Sequence, residues 1–277
     1  MPYTHLHHIS YHYQRHGTGE TVLLLHGFTG RGRTWDKLLE RISGPYQWLT
    51  VDLLGHGLTD SPLDPTRYEM RFAAADLAAL ILDLATPPIH LLGYSMGGRL
   101  ALYLAIHYPH LFHSLTLESS SPGLATAEER QARQAADEQL AQKLEREGVD
   151  AFMRYWQQLP LFASQNQLPE PVRVQLTQQR RQNSAWGLAN SLRGMGTGRQ
   201  PSLWDQLPGL NLPVRLLAGA LDHKFVIIAR QMAARLPQAE LIIVPQAGHT
   251  IHLEQPDSWI AAAGFNYTQM NADFSTL

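Results

Sequence analysis

Six short apolar segments, separated by longer stretches of helical character, restrict the folds that are open to this chain. Each segment is almost continuously apolar, a pattern typical of strands buried on both faces of a parallel sheet. Residues 71–85 and 97–108 lie between such segments and read as helices. Strands that alternate with helices predict a doubly wound α/β fold, with helices flanking a mostly parallel sheet. The apolar segments are 21–27, 47–53, 88–94, 113–119, 214–220 and 239–245.

Two regions depart from this alternation. Residues 4–17 alternate between polar and apolar side chains, which predicts an antiparallel edge of the sheet. Residues 121–200 are polar, rich in Gln and Arg, and without a strand signal, so we expect an all-helical lid inserted into the core. The predicted organisation is a first core part at 1–120, the lid at 121–200 and a second core part at 201–277.

Composition argues against several classes of function. The net charge of −2 gives no indication of a basic surface that would bind nucleic acid. We expect neither a secretory signal nor a membrane span, because the apolar runs are too short. The chain has no cysteine, which suits the cytoplasm and excludes disulfides and thiolate chemistry. The spacing of His5, His7 and His8 suggests a metal cluster, but an alternating strand without an acidic partner favours surface histidines and no metal site.

The segment GYSMG, centred on Ser95, fits the pattern G-x-S-x-G. An apolar strand precedes it and a helical segment follows it, which is the context that the motif requires. A sharp turn then exposes the serine hydroxyl above the sheet, and small residues are needed because the chain passes close to itself. We therefore predict Ser95 as the reactive hydroxyl.

A reactive serine requires a histidine to accept its proton and a carboxylate to orient that histidine. In such folds the three follow the order Ser, Asp, His, each at the carboxyl end of a strand. Asp222 follows segment 214–220 and His249 follows segment 239–245, so we predict both as partners of Ser95. Asp222 could instead only cap a helix, and His252 is the nearest alternative to His249.

Negative charge that develops during the reaction requires backbone N–H donors. Met96, directly after the serine, should supply one donor. Phe28, in the loop HGFTG after the first central strand, should supply the second. His26 and Gly27 are expected to shape this loop, and His56 in the segment LGHG is expected to organise a turn rather than to catalyse.

Arg99 stands four residues after Ser95, so a helix that begins at the serine places both on one face. Basic residues number 22, of which only Lys37, Lys143 and Lys224 are lysines. Because a guanidinium matches planar carboxylates, this bias suggests an acidic small-molecule ligand, although the base composition of the genome would explain it equally well.

Longer motifs connect these residues to a known family. They are LLHGFTGRGRTWD (24–36), VDLLGHG (51–57), GYSMGGR (93–99), SPGLATAEERQAR (121–133), YWQQLPLFAS (155–164), LDHKF (221–225) and AGHTIHLEQP (247–256). Over essentially its whole length the chain resembles proteins of the α/β-hydrolase fold. Within that superfamily it resembles the 2-succinyl-6-hydroxy-2,4-cyclohexadiene-1-carboxylate synthases of menaquinone and phylloquinone biosynthesis.

The resemblance implies a small-molecule substrate with several carboxylates, bound by arginines and enclosed by aromatic side chains. Arg181 is adjacent to Arg180 and could take its place, and lid arginines could also lie on a solvated helix face. The implied substrate-binding residues are Tyr94 (through its hydroxyl), Arg99, Arg133, Trp156, Phe162 and Arg180.

The implied reaction is an elimination, not a hydrolysis. A base removes a ring proton from 2-succinyl-5-enolpyruvyl-6-hydroxy-3-cyclohexene-1-carboxylate, and pyruvate leaves to give the conjugated diene. Ser95, deprotonated through His249 and Asp222, would be this base, and the N–H groups of Phe28 and Met96 would stabilise the developing charge. Neither a metal nor an organic cofactor is implied.

Two other functions remain open from the sequence. Carboxylesterases and carbon–carbon bond hydrolases share this scaffold and triad, although the arginines would penalise a neutral ester. A non-catalytic receptor could retain the fold, although an intact Ser95, Asp222 and His249 argues against it. We expect a monomer or weak homo-oligomer, without nucleic-acid or membrane partners.

Overall fold

A computed structural model describes residues 2–267 of the chain, and its elements follow the predicted alternation. The six predicted core strands and both predicted helices are present, with ends shifted by a few residues at most. The strands are β1 (Tyr3–Leu6), β2 (Ile9–Gly17), β3 (Glu20–Leu25), β4 (Ile42–Ser43), β5 (Tyr46–Val51), β6 (Ile89–Tyr94), β7 (Phe112–Glu118), β8 (Val214–Gly219), β9 (Ala239–Val244) and β10 (Asn266–Tyr267). The helices are α1 (Asp36–Leu39), α2 (Met70–Leu84), α3 (Met96–His107), α4 (Ala127–Trp156), α5 (Glu170–Arg181), α6 (Ala185–Met195), α7 (His223–Ala233), α8 (Ile251–Glu254) and α9 (Pro256–Ala263).

The central sheet within residues 2–267 has eight strands in the order β1-β2-β5-β3-β6-β7-β8-β9. β2 runs antiparallel to both β1 and β5, and every other neighbouring pair is parallel. The mostly parallel sheet and its antiparallel edge are thus confirmed. β4 and β10 pair with each other outside this sheet.

The amino-terminal edge differs from the prediction at the histidines. His7 and His8 lie in the turn between β1 and β2, with φ of 48° and 67°, and not in a strand. His7 also has an acidic partner, since its Nδ1 lies 2.7 Å from Oδ1 of Asp76 on α2. Nowhere in residues 2–267 do three or more His, Asp or Glu side chains form a group that could hold a metal ion.

The continuous apolar runs reflect burial on both faces of the sheet. Along β3, Leu23 and Leu25 belong to a cluster beneath α2, α3 and α7, whereas Val22 and Leu24 belong to a second cluster beneath α1 and α9. All four side chains are at most 1% exposed. Alternate residues of one strand therefore fill two cores, and a polar residue on either face would interrupt one of them.

Between β7 and β8 the structure contains helices and no strand. We call residues 121–200 the lid; it comprises α4, which is broken at Gly148 (φ 76°), a 3₁₀ segment at Pro160–Gln167, α5 and α6. Arg193 of α6 forms ion pairs with Glu138 and Glu145 of α4. A separate apolar cluster that includes Leu144, Phe152 and Leu188 fills the space between these helices.

Candidate active site

The turn between β6 and α3 holds Ser95 in a strained backbone conformation, with φ of 51° and ψ of −109°. Close packing leaves no room for side chains beside it. A Cβ on Gly93 would lie 2.5 Å from the Gly97 carbonyl oxygen, and one on Gly97 would lie 2.4 Å from the Leu25 carbonyl oxygen. The glycines let the chain turn sharply enough to project the serine from the carboxyl edge of the sheet.

His249 connects Ser95 to Asp222, as predicted from the chain order. The His249 Nε2 atom lies 2.9 Å from Ser95 Oγ, and its Nδ1 atom lies 2.7 Å from Asp222 Oδ2. With Nδ1–H donating to the carboxylate, Nε2 is free to accept the serine proton. The histidine side chain is 1% exposed and that of Asp222 is 8% exposed, so water competes little for these bonds.

The sequence left two alternatives to this triad, namely Asp222 as a helix cap only and His252 in place of His249. Asp222 does cap a helix, because its Oδ1 accepts the Phe225 N–H at 3.3 Å, but its second oxygen orients His249. His252 bonds a different carboxylate, and it is His249 that contacts the serine. The His252 Nδ1 atom lies 2.9 Å from both carboxylate oxygens of the fully buried Glu118.

The loop of His249 is fixed from behind by one carboxylate. Glu254 Oε2 accepts the Gly248 N–H at 2.6 Å, and its Oε1 accepts the Thr250 N–H at 3.1 Å. The residues on both sides of the histidine are therefore held by the same side chain. Sequence reasoning missed Glu254, although an acid five residues after a candidate catalytic histidine was visible.

Phe28 and Met96 border the cavity above Ser95, and neither backbone N–H donates a hydrogen bond within residues 2–267. These free donors suit a developing oxyanion. The loop that carries Phe28 is shaped by His26, as predicted: Nδ1 bonds the Gly27 carbonyl at 2.8 Å, and Nε2 accepts the Leu53 N–H at 2.9 Å.

Both histidines near this loop are held neutral by burial. Burial lowers the pKa of His26 to about 4, and it lowers the pKa of His56 to about 3. Nδ1 of His56 bonds the Leu54 carbonyl at 3.1 Å, which agrees with a role in a turn. Neither ring contacts Ser95, so their contribution is to the shape of the oxyanion loop.

A cavity of about 1870 Å³ separates the lid from the carboxyl edge of the sheet. Ser95, His249 and Asp222 lie at its floor, and α4, α5 and the 3₁₀ segment of the lid contribute to its walls. All the predicted substrate-binding residues border it, namely Tyr94, Arg99, Arg133, Trp156, Phe162 and Arg180.

Arg99 and Arg180 reach the cavity without a carboxylate partner in the described chain. Arg99 Nη1 donates to the Met195 carbonyl at 2.8 Å and to Gln200 Oε1 at 3.1 Å. Arg180, 7% exposed, donates to Gln165 Oε1 at 3.4 Å and lies over the ring of Phe162. Burial lowers the pKa of each guanidinium to about 10, so both remain charged at neutral pH. Arg180 is buried and Arg99 half-buried, and neither forms a direct ion pair in residues 2–267, although the Asp137 carboxylate is near enough to attract Arg99. Two such cations favour an anionic ligand.

The other two arginines differ from this pair. Arg133 lines the cavity, but its Nε donates to Asp137 Oδ1 at 2.7 Å and its side chain is 39% exposed, so its charge is partly neutralised. Arg181 points outward, is 45% exposed and lies 3.2 Å from Asp150. The alternative between Arg180 and Arg181 is thereby decided in favour of Arg180 as the cavity residue.

Tyr94 borders the cavity, but its hydroxyl is used differently from the expectation. It lies 2.7 Å from Thr250 Oγ1, and burial raises the tyrosine pKa well above its ordinary value. Gln165 of the lid donates to the same Thr250 oxygen at 2.8 Å, and its own oxygen accepts from Arg180. This chain from Tyr94 to Arg180 was not predicted. Thr250, next to His249, was the visible signal, whereas Gln165 stands in a polar segment without any signal.

Aromatic rings form the lid wall of the cavity. The Trp156 ring is 5.3 Å from that of Phe28, 5.4 Å from that of Phe152 and 5.8 Å from that of Phe162, measured between centroids. The Phe162 ring also meets His249 edge-on at 6.0 Å. The predicted aromatic residues thus lie against the oxyanion loop and the triad, where they exclude water from both.

Comparison with known proteins gives consistent results. Residues 20–256 match the family model described as alpha/beta hydrolase fold. A Bacillus subtilis protein named putative 2-succinyl-6-hydroxy-2,4-cyclohexadiene-1-carboxylate synthase is 45% identical over 237 residues, 86% of each chain. The Serratia proteamaculans synthase of that name is 34% identical over 87% of this chain and 90% of its own. The structure of MenH from S. aureus superposes with a TM-score of 0.87 at 36% identity, covering 91% of this chain and 96% of its own.

Proposed function

The chain belongs to the α/β-hydrolase fold family and, within it, to the 2-succinyl-6-hydroxy-2,4-cyclohexadiene-1-carboxylate synthases, and from this premise we propose which of its residues perform the reaction. The enzyme is a carbon–oxygen lyase. It eliminates pyruvate from 2-succinyl-5-enolpyruvyl-6-hydroxy-3-cyclohexene-1-carboxylate and leaves a conjugated cyclohexadiene.

One observation carries the assignment of residues: an assembled Ser95–His249–Asp222 triad shares one cavity with the guanidinium groups of buried Arg180 and half-buried Arg99. A neutral ester would leave the charges of Arg99 and Arg180 uncompensated. A polycarboxylate would pair with them and gain strong, charge-assisted hydrogen bonds in a site with little water. This arrangement supports the polyacid as substrate over a neutral ester.

The proposed first step is removal of the ring proton by Ser95. The serine oxygen takes the proton as its own passes to His249 Nε2, and Asp222 stabilises the resulting imidazolium. Electron density from the broken C–H bond moves towards a substrate carbonyl or carboxylate. The N–H groups of Phe28 and Met96 face this region and stabilise the charge.

In the second step the carbon–oxygen bond to the enolpyruvyl group breaks, and the electrons return to form the diene. The departing enolate of pyruvate takes up one proton, so the ring proton lost is balanced by the proton gained. Arg99, Arg133 and Arg180 hold the carboxylates so that the C–H and C–O bonds stay aligned. Trp156 and Phe162 enclose the ring and keep water from competing.

Pyruvate release from the enolpyruvyl substrate tests this proposal directly. Wild type should form pyruvate and diene in equal amounts, and Ser95→Ala should do so at least about 10³-fold more slowly, since a triad works as a unit. A p-nitrophenyl ester serves as the hydrolase control. Higher catalytic efficiency on the neutral ester than on the polyacid would favour the esterase alternative instead.

The site requires only a soluble polyacid, and we propose a cytoplasmic enzyme that works as a monomer or weak homo-oligomer. The cysteine-free composition is compatible with a reducing compartment. Among the helices of residues 2–267, none combines the length and the apolar character of a membrane span.

A further inference from the structure

Asn183 joins the lid to two loops of the core beside the active site. It lies between α5 and α6 and is 6% exposed. Its Nδ2 group donates to the Thr29 carbonyl at 2.7 Å and to the Arg180 carbonyl at 3.0 Å. Its Oδ1 atom accepts the Gly57 N–H at 2.8 Å. The side-chain amide therefore has partners for both of its ends, on the lid and on the core.

The Thr29 carbonyl belongs to a strained turn. The Gly30 N–H donates to the Gly27 carbonyl at 2.9 Å and closes a four-residue turn around Phe28 and Thr29. Thr29, the third residue, has φ of 67°. A type II turn needs a positive φ at this position, and glycine or asparagine adopts it far more easily than a β-branched residue. Such a conformation persists only where surrounding contacts fix it.

We propose that Asn183 is a positioning residue that fixes this turn and thereby the direction of the Phe28 N–H. If the hydrogen bond to the Thr29 carbonyl is lost, Thr29 can relax to a negative φ, and the peptide groups on either side rotate. The Phe28 N–H belongs to the preceding peptide group, between Gly27 and Phe28, and that group moves when the turn closed by the Gly30–Gly27 hydrogen bond rearranges. An oxyanion donor works only when it is held in place before charge develops.

The geometry separates this role from substrate binding. Thr29 and Phe28 border the cavity, whereas Asn183 does not. Asn183 reaches the cavity only through its neighbours: its bond to the Arg180 carbonyl holds the backbone of that residue, whereas its bond to the Thr29 carbonyl holds the turn. If the turn is the main route, Asn183 alters the rate of the chemical step more than substrate affinity. It follows that the oxyanion site is complete only while the lid is seated on the core, because the lid carries the fixing amide.

Asn190 provides a matched control on the same lid. It is 1% exposed, and its Nδ2 group donates to the carbonyls of Pro62 at 3.1 Å and Leu63 at 3.0 Å. It thus also anchors the lid to the core through a buried amide and two backbone oxygens. It does not touch the turn at 27–30, so Asn190→Ala measures the cost of weaker lid anchoring alone.

The experiment compares Asn183→Ala, Asn183→Asp and Asn190→Ala well below their Tm values. The aspartate keeps an acceptor for Gly57 but directs a carboxylate oxygen at the Thr29 carbonyl. We expect both Asn183 variants to lose roughly 10- to 100-fold in kcat for pyruvate release, less than the 10²–10³ of a removed oxyanion donor, with KM changed less than about threefold. Inactivation by a fluorophosphonate, whose phosphoryl oxygen needs the same donors, should slow in parallel.

Asn190→Ala should change kcat and the inactivation rate less than about threefold, even where its Tm falls as much as that of Asn183→Ala, since distant anchoring contributes to stability and not to the turn. Equal rate losses in the two alanine variants would overturn the proposal, as would a raised KM with unchanged kcat in the Asn183 variants. The proposal rests on the proposed function only for the turnover measurement. If the wild type reacts with fluorophosphonate but releases no pyruvate, the proposed function fails while the inactivation rates still test Asn183.

Discussion

Replacing Arg180 with methionine should stabilise the ligand-free protein while removing most of its activity. The guanidinium is 7% exposed, donates to the Gln165 amide oxygen at 3.4 Å and lies over the face of Phe162. Burial lowers its pKa from 12.5 to about 10. A pKa depressed in the folded state means that folding disfavours the charged form. The resulting loss of folding stability is complete below pH 10 and decreases only as the pH rises from 10 towards 12.5.

The size of the effect follows from that shift. At about 1.4 kcal/mol per pKa unit, the charge costs the folded state on the order of 3 kcal/mol. Methionine follows the aliphatic stem of arginine and carries no charge, so it removes this cost and retains part of the packing, although it loses the contact with Phe162 and the hydrogen bond to Gln165. We expect a net gain of about 1–3 kcal/mol in the free energy of unfolding, in line with other replacements of buried ions by apolar residues.

Activity should change in the opposite direction. Loss of one partner of a buried charge pair costs about 2–5 kcal/mol of binding. That corresponds to a drop of roughly 30-fold to several thousand-fold in kcat/KM for the enolpyruvyl substrate. The same side chain that weakens the empty protein therefore supplies a large part of its transition-state stabilisation.

Urea unfolding and thermal melting of the ligand-free proteins measure the first effect, and pyruvate release measures the second. The Tm of Arg180→Met should rise by about 2–8 °C for a chain of this size. Arg181→Met is the control, because that side chain is 45% exposed and pairs with Asp150 at the surface. Its unfolding free energy should change by less than about 0.5 kcal/mol and its kcat/KM by less than about twofold.

A fall in the Tm of Arg180→Met would refute the reasoning, since it would show that internal contacts already compensate the charge. Equal kcat/KM losses in Arg180→Met and Arg181→Met would also refute it. A polyanionic substrate analogue adds a check: it should raise the Tm of the wild type by mass action and leave that of Arg180→Met nearly unchanged.

Three further predictions concern other parts of the site. Ser95→Ala should lower the rate of pyruvate release by about 10³-fold or more with an unchanged far-UV spectrum, and retention of a tenth of the wild-type rate would contradict the role of the triad. Arg99→Lys should recover only part of the kcat/KM lost in Arg99→Ala, because an ammonium cannot form two parallel bonds to a carboxylate; full recovery in steady-state kinetics would argue against bidentate binding. Stability should fall as the pH drops from 6.5 towards 3–4, since the folded-state pKa values of His26 (about 4) and His56 (about 3) lie below 6.5 and only the unfolded chain takes up protons there. Each histidine contributes up to about 1.4 kcal/mol per pH unit to this loss of stability. In urea titrations the unfolding free energy of His56→Gln should therefore fall less steeply on acidification than that of the wild type.

The strands and the triad were predictable because their signals are local or repeat along the chain. An apolar run that is buried on both faces looks the same wherever it stands, and β3 and β6 were placed within two residues. Ser95, Asp222 and His249 each follow such a run, so the position of a strand end was enough to bring them together. His7 and His8 were placed wrongly because a short hairpin turn interrupts the alternation without glycine or proline.

Arg180 could have been separated from Arg181 by helical phase. Val172, Leu176 and Arg180 are spaced by four residues, so they share the face of α5 that turns inward, while Arg181 is rotated by about 100° from it. Asn183 and Gln165 could not be found in this way. Each contacts a residue far away in the chain, and polar side chains in a Gln-rich segment carry no periodic signal of burial.

The position of the lid in the chain has a consequence for how freely it can change. The lid lies within the connection between β7 and β8, residues 119–213, which is roughly twenty times as long as a five-residue loop. Because loop-closure entropy grows only with the logarithm of length, this insertion costs the sheet about 2–3 kcal/mol more than a five-residue link. Chain entropy would therefore permit exchange of the whole segment for a shorter or longer one from another family member. Whether a new lid fits this core would depend instead on a few close contacts between the two. Gly248 is an example, because an added Cβ there would lie 2.1 Å from Ser164 Oγ of the lid.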